Sequence, residues 1–198
     1  MRRAERHLAK VDPIMKRLIA RHGPCPLAER EFQPFHMLAN SIISQQLSIH
    51  AAAAIKQRLA LLIAPPFSAE GFLRISNEQL RGAGLSQAKA RYIFGLASRV
   101  CDGRILFDQI IAKDDEDVIE TLAECPGIGR WTAEMFLIFG LKRLDVLALG
   151  DAGLQRAARI LYGKKRKSKT LLPRVAEAWR PYRSVASWYL WRSLEDVI

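Results

Sequence analysis

Cysteine is scarce and scattered. Cys25, Cys101 and Cys125 are odd in number, and no two form a CxxC pair. That argues against a disulfide framework and a structural zinc site, and it rules out a four-cysteine iron–sulfur centre within the chain. A reducing compartment suits such a sequence, and a cytoplasmic location is expected. His7, His22, His36 and His50 show no metal-ligand spacing, so no metal site is expected. No run reaches the length of about 18 apolar residues that a membrane span needs, so no membrane partner is expected. The N-terminal "MRRAERHLAKVDPIMKRLIARHG" is charged throughout and lacks the apolar core of a secretory signal. Alternation of apolar and polar residues over a useful length is also missing, which leaves little place for strands. Walker loop, dinucleotide fingerprint and Ser–His–Asp order are absent.

Negative charge is in short supply as well. Lys and Arg number 31 against 20 Asp and Glu, a net charge of +11 over 198 residues. A solvated basic surface would account for it, but at this size such a surplus points to a polyanion, and nucleic acid is the commonest. Hydrophobic residues make up 49%, enough for a core and too many for a disordered chain. The length suits one domain or two small lobes.

What is present is helical periodicity. Leu8, Val11, Ile14, Met15, Leu18 and Ile19 form one stripe over 4–22, closed by Gly23-Pro24. A second apolar helix reads from Phe35 to Gln46. Ser48 is placed to cap a third, "IHAAAAIKQRLALLI", that Pro65-Pro66 ends. Short helices are expected at 68–73 and 77–82, a long one after Ser86, and another in "DDEDVIETLAE", whose acids suit a helix N-terminus. The fold class is all-α. "GAGLSQAKARYIFGL" at 82–96 and "GIGRWTAEMFLIFGL" at 127–141 echo each other at an offset of 45 residues; coincidence between two helix–turn–helix units is favoured over a true repeat.

The second of these carries the most chemistry. In "CPGIGRWTAEMFLIFGL", Pro126 fixes the entry to a turn and two glycines stand before a helix. Glycine allows positive φ and lets a partner approach the backbone. Successive N–H groups at 126–129, ahead of a helix N-terminus, make a place where phosphate binds, and Arg130 adds charge beside it. An ordinary αα-hairpin would use the same residues simply to turn.

The segment "LAECPGIGRWTA" resembles the hairpin of the helix-hairpin-helix superfamily of DNA glycosylases. "FHMLANSIISQQLSIHAAAAIKQRL" at 35–59 resembles the early segment of that family with its Ile-x-x-Gln core, and "RPYRSVASWYLW" at 180–191 the C-terminal segment of the alkylated-base branch. The likeness covers 35–192 and is most specific to the DNA-3-methyladenine glycosylase II group, whose extra N-terminal β-rich domain finds no room in this chain. It implies two helical lobes, 34–141 with the hairpin and 1–33 plus 142–198 with the catalytic residue, and an active-site cleft between them. It implies double-stranded DNA as partner, a monomer, and no cofactor, although in some members a monovalent cation sits at the hairpin backbone.

The same likeness assigns roles. Gly127, Ile128, Gly129, Arg130 and Thr132 grip the DNA backbone. The family's essential aspartate follows the hairpin, and Asp151 lies 22 residues beyond Gly129. Asp145, nearer, is the competing candidate, and Asp151 also suits the N-cap of "AGLQRAARIL". A carboxylate near the sugar stabilises the positive charge left as the base departs. Strand-cleaving relatives carry a lysine nucleophile after the arginine; Trp131 stands here, which implies a monofunctional enzyme. Electron-poor alkylated purines favour aromatic faces: Trp131 and Trp191 first, then Trp188 and Tyr189, although aromatics at this spacing are also ordinary core. Ala152 stands where a bulkier residue follows the aspartate in relatives. Gln46 and Leu47, with Gln45 beside them, are the expected wedges for the gap left by a flipped base, unless they simply end a helix. Lys89 and Arg91 are further phosphate candidates, and "KKRKSK" at 164–169 is a DNA contact or a solvated loop.

The expected activity is hydrolysis of the N-glycosidic bond of alkylated bases in base excision repair. The alternatives are a glycosylase for deaminated or oxidised bases, a strand-cleaving lyase, which Trp131 opposes, and a non-enzymatic helix-hairpin-helix DNA-binding module.

Overall fold

The computed structural model describes residues 1–29, 31–163 and 171–195; "KKRKSK" lies outside them. The described residues contain helices and turns and no strand, so the all-α expectation holds. The expected stripe over 4–22 is two helices, α1 (Arg2–Val11) and α2 (Pro13–His22). Pro13 lacks an N–H and drives the preceding residue out of helical space. Asp12 is accordingly extended (φ −142°, ψ 112°) and caps α2, its Oδ1 accepting from the N–H groups of Ile14 and Met15 at 2.8 and 3.2 Å.

Next come α3 (Pro34–Ser44) and α4 (Ile49–Ala60), the latter capped by Ser48, whose hydroxyl accepts from Ala51 N at 3.2 Å. The short α5 (Ala69–Leu73) and α6 (Asn77–Gly82) precede the long α7 (Gln87–Cys101), capped by Ser86. α8 (Phe107–Ile111) and α9 (Asp115–Ala123) lead to the hairpin. The helix after it is shorter than its apolar pattern suggests. α10 (Arg130–Met135) has 6 residues and passes into a π-helical turn over Phe136–Gly140. α11 (Ala152–Tyr162), α12 (Leu171–Ala176) and α13 (Arg183–Glu195) complete the described chain.

The internal echo does not survive as a repeat. Its offset pairs Gly82 with Gly127, yet the left-handed glycines are Gly84 (φ 103°) and Gly127 (φ 90°), so the two turns are built in different registers.

The chain divides into two compact units, Met1–Glu31 with Leu137–Ile198, and Phe32–Phe136. In the first, Leu8, Met15, Leu154, Trp179 and Leu190 are buried. Asp12 is a polar centre in that core: its Oδ2 accepts from Tyr162 Oη and Trp179 Nε1, both at 2.8 Å. In the second, Leu38, Ile42, Leu59, Phe72, Leu80, Ile93 and Phe136 are buried.

Candidate DNA interface and active site

The hairpin between α9 and α10 needs its two glycines for different reasons. Gly127 has φ 90°, and a Cβ built on it would fall 2.4 Å from Cδ2 of Tyr92. The Tyr92 ring fills the space beneath the turn, so both backbone conformation and packing require glycine there. Gly129 is extended (φ −93°, ψ 173°) and caps α10 without a side-chain bond; a Cβ there would meet nothing within 4 Å. The fold therefore has room for a Cβ there, and its absence leaves the backbone open to approach from outside. Between them Ile128, 4% exposed, anchors the turn, its N–H donating to Cys125 O at 2.9 Å. The first N–H groups of α10 have no partner inside the helix and no capping side chain. Thr132 is buried, whereas Trp131 is 47% exposed.

Arg130 departs from expectation. Its Nη1 and Nη2 pair with Oε1 and Oε2 of Glu116 at 2.5 and 2.9 Å, and its Nε reaches Glu134 Oε1 at 3.2 Å. The pairing holds the Glu116 carboxyl below the usual range and raises the Arg130 pKa. The charge expected to face phosphate is therefore shared with two carboxylates.

Beside the hairpin, α3 ends at Ser44 and the chain turns through Gln45, Gln46 and Leu47. Gln46 has φ 55° and is exposed; Leu47 is 38% exposed. Both are disposed as side chains that could enter a duplex. Gln45 is not: its Nε2 donates to Gly127 O at 2.7 Å. Lys89 also departs from expectation, its Nζ donating to Ile43 O and Gln45 O at 2.8 and 2.6 Å. Burial lowers its pKa.

In the other unit Asp151 caps α11 and is 8% exposed. Its Oδ1 accepts from Leu154 N at 2.7 Å and from Trp191 Nε1 at 2.9 Å. Gly153 makes room for this, since a Cβ there would lie 3.1 Å from Asp151 Oδ1 and 3.2 Å from Trp191 Cδ1. The Trp191 ring also lies against Phe139, centroids 5.6 Å apart. Asp145, the competing carboxylate, is committed to the fold. Arg183 Nε and Nη2 reach its Oδ1 and Oδ2 at 2.8 and 3.0 Å, and Arg180 Nη1 reaches Oδ2 at 3.0 Å. Its charge is therefore shared with two guanidiniums.

The aromatic set divides. Trp191 touches the carboxylate. Trp188 stacks edge-on against Tyr189 at 4.9 Å and lies under Arg192. Tyr189 is fully buried, its hydroxyl donating to Gly23 O at 2.9 Å. A ring with no exposed face cannot stack on a base, so the pocket role expected of Tyr189 is withdrawn. Sequence reading also missed Tyr92, Gly153 and Glu116, none of which carries a local signal for what it touches.

Among the described residues no three His, Cys, Asp or Glu side chains group to hold a metal ion, and no helix is long and apolar enough to cross a membrane. A monovalent cation at the hairpin would need backbone carbonyls. Those of Cys125 and Gly127 already accept hydrogen bonds, each keeping a second lone pair, so the turn fits such an ion without being built around one. A mostly apolar cavity of about 280 Å³, walled in part by Phe35, His36, Phe67 and Phe107, contains none of the expected site residues.

Known proteins resemble the chain in sequence and fold. The chain is 30% identical over 197 residues to the alkylbase DNA glycosidase-like protein mag2 of Schizosaccharomyces pombe, covering 96% of this chain and 92% of that one. A DNA-3-methyladenine glycosidase crystal structure from Bacillus halodurans matches at 40% identity and a TM-score of 0.77, covering 92% of this chain and 89% of its own. The S. pombe 3-methyladenine DNA glycosylase in complex with abasic DNA matches at 29% identity and a TM-score of 0.79, covering 98% and 97%. Residues 39–181 match the family described as "HhH-GPD superfamily base excision DNA repair protein". With its glycine hairpin, its capped aspartate and that match, the chain belongs to the HhH-GPD superfamily of base excision DNA repair proteins.

Proposed function

We propose that the protein is a monofunctional DNA glycosylase that hydrolyses the N-glycosidic bond of alkylated bases of the 3-methyladenine type, initiating base excision repair. The observation that carries the reading is the Asp151 carboxylate, held at the start of α11 and bonded at 2.9 Å to the indole N–H of Trp191. A carboxylate and an aromatic face in contact are the two things the chemistry asks for. The face attracts an electron-poor base, and the carboxylate stabilises positive charge on the sugar.

The unit 32–136 grips double-stranded DNA through Gly127, Ile128, Gly129 and the N–H groups of Arg130 and Thr132. The damaged nucleotide leaves the stack, and Gln46 or Leu47 fills the gap. The unit containing 137–198 performs the reaction. The C1′–N bond breaks with its electron pair passing to the base, Asp151 stabilises the charge at C1′ and orients water, and water oxygen bonds to C1′ as its proton passes to Asp151 and on to solvent, leaving an abasic site. Trp191 contacts the base, and Trp131, exposed beside the hairpin, and Trp188 are the further candidates for that contact. No lysine stands at 131 to form a Schiff base, so strand cleavage is not expected. The enzyme acts as a cytoplasmic monomer.

Base release tests this. Methylated duplex DNA is incubated with the wild type and with Asp151→Asn, and free bases are separated by chromatography. Release of 3-methyladenine by the wild type alone supports reaction and residue together. Release of a deaminated or oxidised base instead, from suitably damaged duplex, changes the substrate. Salt-sensitive binding with no release by either protein replaces the enzyme with a binding module. Release by both returns Asp151 to a helix cap.

A further inference from the structure

The first two turns of α7 carry the side chains that hold both DNA-facing turns of the 32–136 unit. Lys89 gives two of its three N–H bonds to the carbonyls of Ile43 and Gln45. Those carbonyls belong to the end of α3, where the helix leaves its own acceptors unpaired. Lys89 is thus a helix C-cap supplied by a different helix. It fixes the residues immediately before Gln46, whose φ of 55° is a conformation that a non-glycine residue keeps only when its neighbours enforce it. Three residues along the same face, the Tyr92 ring lies beneath Gly127, where there is no room for a Cβ. The Gln45 side chain closes the figure by donating to Gly127 O at 2.7 Å.

The geometry points to a rigid coupling in which Lys89 and Gln45 are positioning residues, locking the insertion turn Gln45–Leu47 to the phosphate-gripping hairpin. This rests on the glycosylase reading. Its consequence is that the wedge stands at a fixed place relative to the gripped backbone before DNA arrives. A mobile turn would have to be ordered at each flipping event, and that entropy would oppose the flipped state alone. Binding to intact duplex, which the hairpin performs without the wedge, would not feel it. Lys89, expected from its charge to neutralise a phosphate, acts instead on the insertion turn.

The test compares the full-length wild type with Lys89→Met, Gln45→Leu and the double variant. Thermal midpoints confirm folding; should Lys89→Met fail to fold, Gln45→Leu carries the comparison. Affinity for undamaged duplex is measured against salt. Wedge insertion is read from 2-aminopurine beside an abasic-site analogue, and excision from single-turnover release of methylated bases. Lys89→Met is expected to keep the affinity and the salt slope, and to lose about tenfold in 2-aminopurine signal and excision rate, the scale set by a hydrogen bond to a charged group. Gln45→Leu, which removes a neutral hydrogen bond, should lose about two- to tenfold in the same readouts, and the double variant should fall no further than the worse single, because the link is already broken. A salt slope reduced by about 0.9 in Lys89→Met, with affinity lost on intact duplex, makes Lys89 a phosphate ligand and overturns the coupling. Additive losses, or unchanged insertion in both singles, overturn it as well. If the wild type releases no base, the glycosylase reading fails on that measurement, while the 2-aminopurine signal and salt slopes still decide the coupling.

Discussion

The two hairpin glycines permit a quantitative separation of fold from function. Gly127→Ala meets two obstacles. An alanine at φ 90° sits in left-handed territory that costs about 1–2 kcal/mol. Its Cβ would also lie 2.4 Å from Tyr92 Cδ2 and 2.6 Å from Cγ, whereas carbon atoms pack at about 3.5–4.0 Å. The turn or the ring must give by roughly 1 Å, and overpacking of that kind costs about 1–3 kcal/mol. The sum is about 3 kcal/mol, which for a chain of this size lowers the thermal midpoint by about 6–12 °C.

Gly129→Ala meets neither obstacle, since its φ is ordinary and its Cβ would enter open space. Its stability should stay within about 0.5 kcal/mol of wild type. Its cost should appear in DNA affinity, where a methyl group keeps phosphate from the backbone N–H groups. Losing one charge-assisted hydrogen bond weakens binding about tenfold or more. Calorimetry and fluorescence anisotropy at fixed salt measure the two effects on each variant. Repeating Gly127→Ala in a Tyr92→Ala background removes the two closest ring contacts and leaves only the Cβ of residue 92, at 2.9 Å: the penalty should shrink towards the backbone part, about 1–2 kcal/mol. An undiminished penalty there refutes the packing argument. Wild-type DNA binding by Gly129→Ala refutes the assignment of that face to the phosphate backbone.

Other substitutions probe the remaining contacts. Trp191→Phe keeps an aromatic face and removes the N–H on Asp151; the single-turnover rate at saturating enzyme should fall about tenfold with KM little changed, whereas Trp191→Ala should also raise KM. Glu116→Gln releases one partner of Arg130, so duplex affinity should rise and its salt dependence steepen, as a salt titration would show. Asp12→Ala removes the cap of α2 and leaves Tyr162 Oη and Trp179 Nε1 without their acceptor; urea unfolding should register a loss of about 3–5 kcal/mol, in the range for breaking a buried polar network. Tyr162→Phe, which removes a single donor, should cost about 1 kcal/mol by the same measurement.

Features set by neighbours within one turn of helix were legible in the sequence. Ser48, Ser86 and Asp151 all cap the helices they precede, because cap chemistry joins a side chain to an N–H two or three residues on. The break at Asp12-Pro13 obeys equally local rules, yet the apolar stripe runs in phase across it and hid it. The need for glycine at 127 was also readable. Its cause was not, because Tyr92 lies 35 residues earlier in the chain. The same distance hid the contact of Trp191 with Asp151, separated by 40 residues.

Charge proved the least transparent signal, for a physical reason. A sequence counts cations without showing which are already paired, and pairing decides what a cation can do. Arg130 and Lys89 were both expected at phosphate; one faces Glu116 and Glu134, the other two carbonyls of α3. Among the aspartates the same fact worked in reverse. Asp145 and Asp151 were rivals on spacing alone, and the guanidiniums of Arg180 and Arg183 on Asp145 separate them. A carboxylate already neutralised by two fixed cations has little field to offer a developing positive charge. Asp151, 8% exposed, accepts from Leu154 N and Trp191 Nε1, and that difference in partners, rather than position in the chain, is why the proposed mechanism uses Asp151.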